Sequence, residues 1–279
     1  MTIVTRFAPS PTGRLHLGHA HAAFFAAAAA RRACGRFLLR IEDIDATRCR
    51  PEFEAGISED LAWLGLTWET PVRRQSDHIA SYREALDLLH ARGVLYPCFC
   101  TRADIAAEIA RAGHAPHGPD GPLYPGICRR LTANERAARQ AAGEQFALRL
   151  NVAAASAQAG TLHWHDVGAG DMAADPASLG DVVLGRKEIP TSYHLAVTLD
   201  DHLQGVTLVT RGADLFHATH IHRLLQALLG LDVPRWHHHP LLLGPDGERL
   251  AKRSGAPTIE SLRANGVTAA EIRDRLGFA

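Results

Sequence analysis

Arg6-Phe-Ala-Pro-Ser-Pro-Thr-Gly-Arg-Leu-His-Leu-Gly-His19 is the stretch on which the reading of this chain turns. Before it, Thr2 to Phe7 alternates and is β-branched, which predicts a strand. Ala8 to Gly13 holds two prolines and a glycine and reads as a rigid turn. A helix is expected from Leu17 to Cys34, stopped by Gly35, and Arg36 to Ile41 is a second apolar run suited to a parallel strand. Strand, loop, helix and strand in that order begin a doubly wound α/β sheet. The loop feeds His16-Leu-Gly-His19 into the helix start, where backbone N–H groups and the helix dipole favour anions. Gly18 permits close approach to the backbone. His16 and His19, three residues apart, can both face a phosphate whose charge changes during reaction, a task done by position and charge rather than by covalent chemistry.

Working outward, helices are expected at Pro51 to Leu64 and His78 to Ala91. From Leu95 to about Lys187 cysteines appear, and Gly113 to Gly126 is rich in Gly, Pro and His, which marks an insertion in the sheet. Strands are expected at His194 to Leu199, Val206 to Val209 and Pro240 to Leu243, with a helix from Ala213 to Leu229. A Gly-rich loop from Gly244 to Ala256 leads to short terminal helices.

The 279 residues carry no net formal charge, so a nucleic-acid partner needs local basic patches. Of the 30 cations 28 are arginine, so the two lysines, Lys187 and Lys252, draw notice. The run Ala20 to Ala30 is broken by His21 and ends at two arginines, so no membrane span and no secretory leader is expected, and the chain is read as cytoplasmic. Five cysteines, three of them clustered, suit reduced thiols and a metal better than a disulfide framework.

His16-Leu-Gly-His19 resembles the HIGH signature of the class I aminoacyl-tRNA synthetases, and Arg6 to Gly13 resembles their glutamyl and glutaminyl branch. Leu39-Arg-Ile-Glu-Asp-Ile-Asp45, Thr191-Ser-Tyr-His-Leu-Ala-Val-Thr-Leu-Asp-Asp201 and Val209-Thr-Arg-Gly-Ala-Asp214 resemble further blocks of that branch, in family order. The resemblance implies a Rossmann-like catalytic domain over 1–94 and 188–245, a zinc-containing insertion over 95–187, and a KMSKS-like loop with terminal helices over 246–279. It also implies binding of ATP with Mg²⁺ and of L-glutamate. Glutamate brings two carboxylates and an ammonium, so its pocket needs two cations and an anion. Arg6 and Arg211 suit the carboxylates because a guanidinium binds them bidentately, with Arg6 on the side-chain carboxylate and Arg211 on the other. Glu42 suits the ammonium, Ser10 and Tyr193 add hydroxyls, and Ala8 lines the same block. His16, Gly18, His19 and Lys252 would bind ATP, with His16, His19 and Lys252 stabilising the reacting phosphates. Lys252 stands in Arg249-Leu-Ala-Lys-Arg253, where Arg249 and Ala251 depart from the family's lysine and serine.

Cys98-Phe-Cys100 and Cys128 fit three ligands of a structural zinc. Residue chemistry alone offers His114 or His117 as the fourth, whereas the resemblance implies Tyr124 of Tyr124-Pro-Gly-Ile-Cys128. His237-His-His239, His163 and His165 are read as non-ligands, and Cys34 and Cys49 as structural.

Little chain follows the KMSKS-like loop, so the resemblance implies a truncated paralogue that transfers glutamate to queuosine at the wobble position of tRNA(Asp). Such a protein would be a monomer that grips the anticodon stem-loop with arginines such as Arg129 and Arg130. Arg211-Gly-Ala-Asp-Leu215 fits that group, while His220-Ile-His222-Arg223 departs from its usual Pro-Arg-Gln. The rivals are a glutamyl-tRNA synthetase catalytic fragment that charges a tRNA 3′ end, and a non-catalytic RNA-binding paralogue.

Overall fold

A computed structural model describes residues 2–111, 117–119, 121–242 and 257–278, apart from the side chains of residues 111 and 117. Lys252 and its whole loop, Leu243 and His114 lie outside the described residues.

The chain opens with β1 (Val4–Phe7), α1 (Leu17–Arg32), β2 (Arg36–Ile41), α2 (Pro51–Trp63) and β3 (Glu69–Arg74), and the three strands form a parallel sheet with β2 in the middle. All four residues of β1 are buried, as expected of a strand covered on both faces. The α1 helix lies on the sheet through small residues, Ala20, Ala23, Ala26 and Ala30, with Phe24 filling the remaining space. At its end Cys34 takes a left-handed φ of 48°. Gly35 follows because a Cβ there would lie 2.1 Å from the Ile3 carbonyl oxygen, so glycine alone lets β2 start beside β1. Ile57, Leu61 and Leu64 of the α2 region are fully buried against this unit, each contributing about 1.5–3 kcal/mol.

Next come α3 (Ile79–Ala91), β4 (Leu95–Cys98), α4 (Arg102–Arg111), the short hairpin β5 (His117–Gly118) and β6 (Gly121–Pro122), α5 (Ala133–Ala141), β7 (Ala147–Leu150) and α6 (Val152–Ala159). After β8 (His163–Asp166), β9 (Gly170–Ala173) and β10 (Val183–Gly185), the chain continues through α7 (Tyr193–Leu203), β11 (Leu208–Gly212), α8 (Ala218–Leu229), β12 (Arg235–His239), α9 (Ile259–Ala264) and α10 (Ala269–Arg275). β4, β7 and β10 make an antiparallel sheet. β8 and β9 extend a second sheet, ordered β11-β12-β8-β9, in which β11, β12 and β8 are parallel. β11 runs beside β1, where the Thr207 N–H donates to the Val4 carbonyl at 3.0 Å. From this seam the chain winds outward to β2 on one side and to β12 on the other. The crevice at the carboxyl ends of β1 and β11 is therefore the topological switch point, where open α/β sheets bind their ligands.

Two sequence expectations are corrected. His194 to Leu199 is not a strand but part of helix α7, in which every residue from Leu195 to Asp201 is buried. A helix buried all round shows no 3.6-residue polarity, and its β-branched residues imitate a strand. Among the described residues the last strand is Arg235–His239, not one from Pro240 onward, and Pro240, lacking an N–H, ends it. The histidine run masked this strand, although Trp236 and His239 are buried and His238 pairs in register with Arg211.

Among the described residues no helix is long and apolar enough to cross a membrane.

Candidate active site

One cavity of about 610 Å³ opens at the switch point. Its walls include Arg6, Ala8 and Ser10 from β1 and the following turn, His16, Gly18 and His19 at the start of α1, Glu42 after β2, Tyr193 at the start of α7, and Arg211 at the end of β11. All the described residues that the sequence suggests for ATP and glutamate thus border a single space. His21, Thr210, Asp214, His239, Leu241 and Leu242, to which the sequence assigned no role in binding, border it too.

The two histidines of the first motif cap α1. The Gly18 N–H donates to His16 Nδ1 at 3.1 Å, and the His16 N–H donates to His19 Nδ1 at 3.2 Å. The anion site expected from open N–H groups is altered accordingly, since His16 occupies the Gly18 donor. Because each Nδ1 accepts, the proton of each neutral ring sits on Nε2, and the rings lie 3.9 Å apart. In that tautomer both Nε2–H groups belong to the helix start, beside its dipole. Thr258 bridges to His16, and the Ile259 N–H donates to the Leu15 carbonyl at 2.8 Å. The chain thus returns to this helix start just past residue 256.

Arg6 and Arg211 differ in their partners. Arg6 is buried, with Nε donating to Asp201 Oδ1 at 2.9 Å and an η-nitrogen donating to the Thr210 carbonyl at 3.1 Å. Arg40, wholly buried, donates to the same Asp201 oxygen at 2.8 Å and to Glu42 Oε1 at 3.1 Å. The neighbouring Asp200 accepts from Arg73, Gln75 and the Tyr82 hydroxyl. Burial raises the Glu42 carboxyl above its ordinary range despite the opposing pull of Arg40 and Arg6. Arg211 is held by uncharged groups: Nε donates to His238 at 3.1 Å, and the η-nitrogens donate to His222 at 3.1 Å, Tyr193 Oη at 3.3 Å and Thr219 Oγ1 at 2.6 Å. Burial lowers its pKa. Among the described residues no carboxylate is ion-paired with Arg211, so the cavity wall carries a buried cation suited to a ligand carboxylate.

Away from this cavity, the Sγ atoms of Cys98, Cys100 and Cys128 lie within 4.8 Å of one another, and no other such cluster of potential metal ligands occurs among the described residues. The Tyr124 hydroxyl is 3.3 Å from Cys98 Sγ and 3.5 Å from Cys100 Sγ, and Cys100 and Cys128 are 3.4 Å apart. Tetrahedral zinc–thiolate geometry requires edges of about 3.8 Å, so this cluster could hold zinc with little movement. Burial pushes the Cys100 thiol up to about 12, a cost that a coordinated cation would reverse. Of the three candidates for a fourth ligand, only Tyr124 has a described side chain. Arg129 and Arg130 are paired with Asp181 and Glu108.

The arrangement defines a class, and comparison with known proteins agrees. Residues 2–276 match the family of class I tRNA synthetases (E and Q), catalytic domain, and the chain belongs to that family. Within it, the chain is 51% identical to the glutamyl-Q tRNA(Asp) synthetase of Rhodobacter capsulatus, over 99% of this chain and 100% of that protein. It is 45% identical to the glutamyl-Q tRNA(Asp) synthetase of Symbiobacterium thermophilum, over 98% of this chain and 85% of that one. A glutamate tRNA ligase from Elizabethkingia meningosepticum, crystallised in complex with its amino acid, superposes with a TM-score of 0.76 at 28% identity, covering 91% of this chain. This chain spans 53% of that structure's length.

Proposed function

We propose that the protein activates L-glutamate with ATP and transfers the glutamyl group to queuosine at the wobble position of tRNA(Asp). The observation that carries this reading is the shared cavity. An anion-favouring helix start with His16 and His19 faces the same space as two guanidinium groups and Glu42. A dicarboxylic amino acid held by Arg6, Arg211 and Glu42 would present a carboxylate oxygen to the α-phosphate of ATP. That oxygen attacks phosphorus, pyrophosphate leaves, and glutamyl-adenylate forms, with Mg²⁺ accompanying the nucleotide. His16 and His19 donate Nε2–H to the phosphates, and Lys252 adds positive charge. A hydroxyl of the cyclopentenediol then attacks the activated carbonyl and AMP departs. The names of the relatives support this acceptor. Cys98, Cys100, Cys128 and Tyr124 would hold a structural Zn²⁺ that fastens the loop carrying Arg129 and Arg130 beside the bound anticodon stem-loop.

The test is transfer of labelled glutamate to purified tRNA(Asp) with and without queuosine. Labelling of the queuosine-containing tRNA alone is expected. Equal labelling of both overturns the acceptor, and failure of glutamate-dependent pyrophosphate exchange overturns the activation step.

A further inference from the structure

Arg211 is surrounded by hydrogen bonds whose direction is fixed by chemistry. A guanidinium can only donate, so His238 Nε2 and His222 Nδ1, each 3.1 Å from an Arg211 nitrogen, must both be bare acceptors. It follows that His238 carries its proton on Nδ1, which lies 2.7 Å from Asp166 Oδ2. His222 carries its proton on Nε2, which lies 3.2 Å from His194 Nδ1. Both rings are therefore neutral. Asp166 is itself buried and pinned by the N–H groups of Gly168, Ala169 and His238, so its charge stops one imidazole short of Arg211. Arg6, by contrast, touches Asp201 directly.

We infer that His222 and His238 are positioning residues that fix Arg211 through uncharged acceptors, with His194 and Asp166 setting their tautomers, so that the guanidinium keeps its full charge for the carboxylate of the amino-acid substrate. A carboxylate at either position would hold Arg211 as firmly and neutralise it. An apolar residue would spare the charge and lose the orientation. Neutral imidazole does neither, and the closed relay keeps it neutral. Burial supports the same state, holding His238 down to about 4 and His222 well below the ordinary imidazole value. His222 lies in the His220-Ile-His222-Arg223 stretch, which departs from the Pro-Arg-Gln that the resemblance leads one to expect. The inference rests on the reading of Arg211 as a carboxylate site for glutamate.

Two measurements test it. Long-range ¹H–¹⁵N correlation spectra of the histidine rings at pH 6, assigned by single substitutions, should show His222 as the Nε2–H tautomer and His238 as the Nδ1–H tautomer, both uncharged. An imidazolium, or the opposite tautomer at either ring, overturns the cradle whatever the reaction proves to be. In pyrophosphate exchange, His222→Leu should raise the glutamate KM by about tenfold or more, with the ATP KM within about twofold of the starting value. His222→Gln, whose carbonyl can still accept from Arg211, should bring the glutamate KM back to within about threefold of the parent. His222→Glu should weaken glutamate more than leucine does, because it neutralises the cation. Equal glutamate KM values for parent and His222→Leu, parallel movement of the ATP KM, or no recovery with glutamine overturns the inference. Should His222→Leu fail to fold, the glutamine–glutamate comparison decides it alone, and equal glutamate KM values for that pair overturn it. A parent chain with the stated tautomers but no glutamate-dependent exchange overturns the proposed reaction and leaves the cradle standing.

Discussion

Arg6 Nε lies 2.9 Å from Asp201 Oδ1, and that single oxygen also takes a hydrogen bond from Arg40. The pair binds a cavity wall to the centre of the sheet, since Arg6 is on β1, Arg40 on β2 and Asp201 on α7. Asp201→Asn would leave two buried guanidinium groups with too little negative charge. A loss of about 3–5 kcal/mol of folding stability is expected, measured by urea unfolding. A loss below about 1 kcal/mol would show that the network is dispensable.

Arg211→Lys should behave in the opposite way. Its contacts are to neutral groups, so stability should change by only about 1 kcal/mol. An ammonium cannot reproduce the bidentate fork, and the glutamate KM should rise about 100-fold with the ATP KM little moved. Steady-state exchange kinetics decide the point, and an unaltered glutamate KM would remove Arg211 from the pocket.

Lys252→Ala should slow adenylate formation by about 2–4 kcal/mol of transition-state free energy, as when one preorganised charge-stabilising donor is lost. Single-turnover exchange is the measurement. An unchanged rate would show that Arg249-Leu-Ala-Lys-Arg253 is not the phosphate-contacting loop.

Stability should fall on mild acidification. His21, His194 and His238 are each held down to about 4, by burial first, with His239 adding to it for His21 and Arg211 for the other two. In the unfolded chain these rings take protons near the ordinary imidazole value of 6.5. Between those values the unfolded state binds more protons, so the stabilisation is complete above about pH 6.5 and drains as the pH falls toward 4. Scanning calorimetry should show Tm dropping by about 5 °C or more between pH 7.5 and 5. A level Tm would mean that the rings are solvated.

Metal analysis should find about one zinc per chain, lost in Cys128→Ser. Because the cluster stands apart from the cavity, the variant should lose glutamate transfer to tRNA while keeping most pyrophosphate exchange. Full zinc content in Cys128→Ser would place the metal elsewhere.

The opening β1–α1–β2 unit was legible because local signals agree there: turn prolines, a helix stop at Gly35, and apolar runs of strand length. Cys98 and Cys100 were legible as a pair because their spacing is local, and Cys128 joined them as the third thiol of the same cysteine-bearing stretch, although it lies 28 residues beyond Cys100. Helix α7 was not, because burial on every side erased its polarity. The partners that separate Arg6 from Arg211 were not legible either. Asp201, Asp166 and His238 come from distant segments; Asp201 stands in a family-like block and His238 in the histidine run, but nothing local says which arginine either will meet. His237-His-His239 could be dismissed as a metal run, but its second member turns out to brace the arginine opposite it in the sheet.

Asp200 and Asp201 lie side by side on one buried helix, each gathering its own set of donors from the first half of the chain. On the proposed reading of Arg6 and Glu42, selectivity and foldedness are written in the same letters. A lineage that drifted toward an amino acid without a second negative group would have to replace charges on β1, β2 and α7 together, a route closed to single substitutions. The choice of amino acid proposed for this protein would then be a property of its skeleton as much as of its mouth.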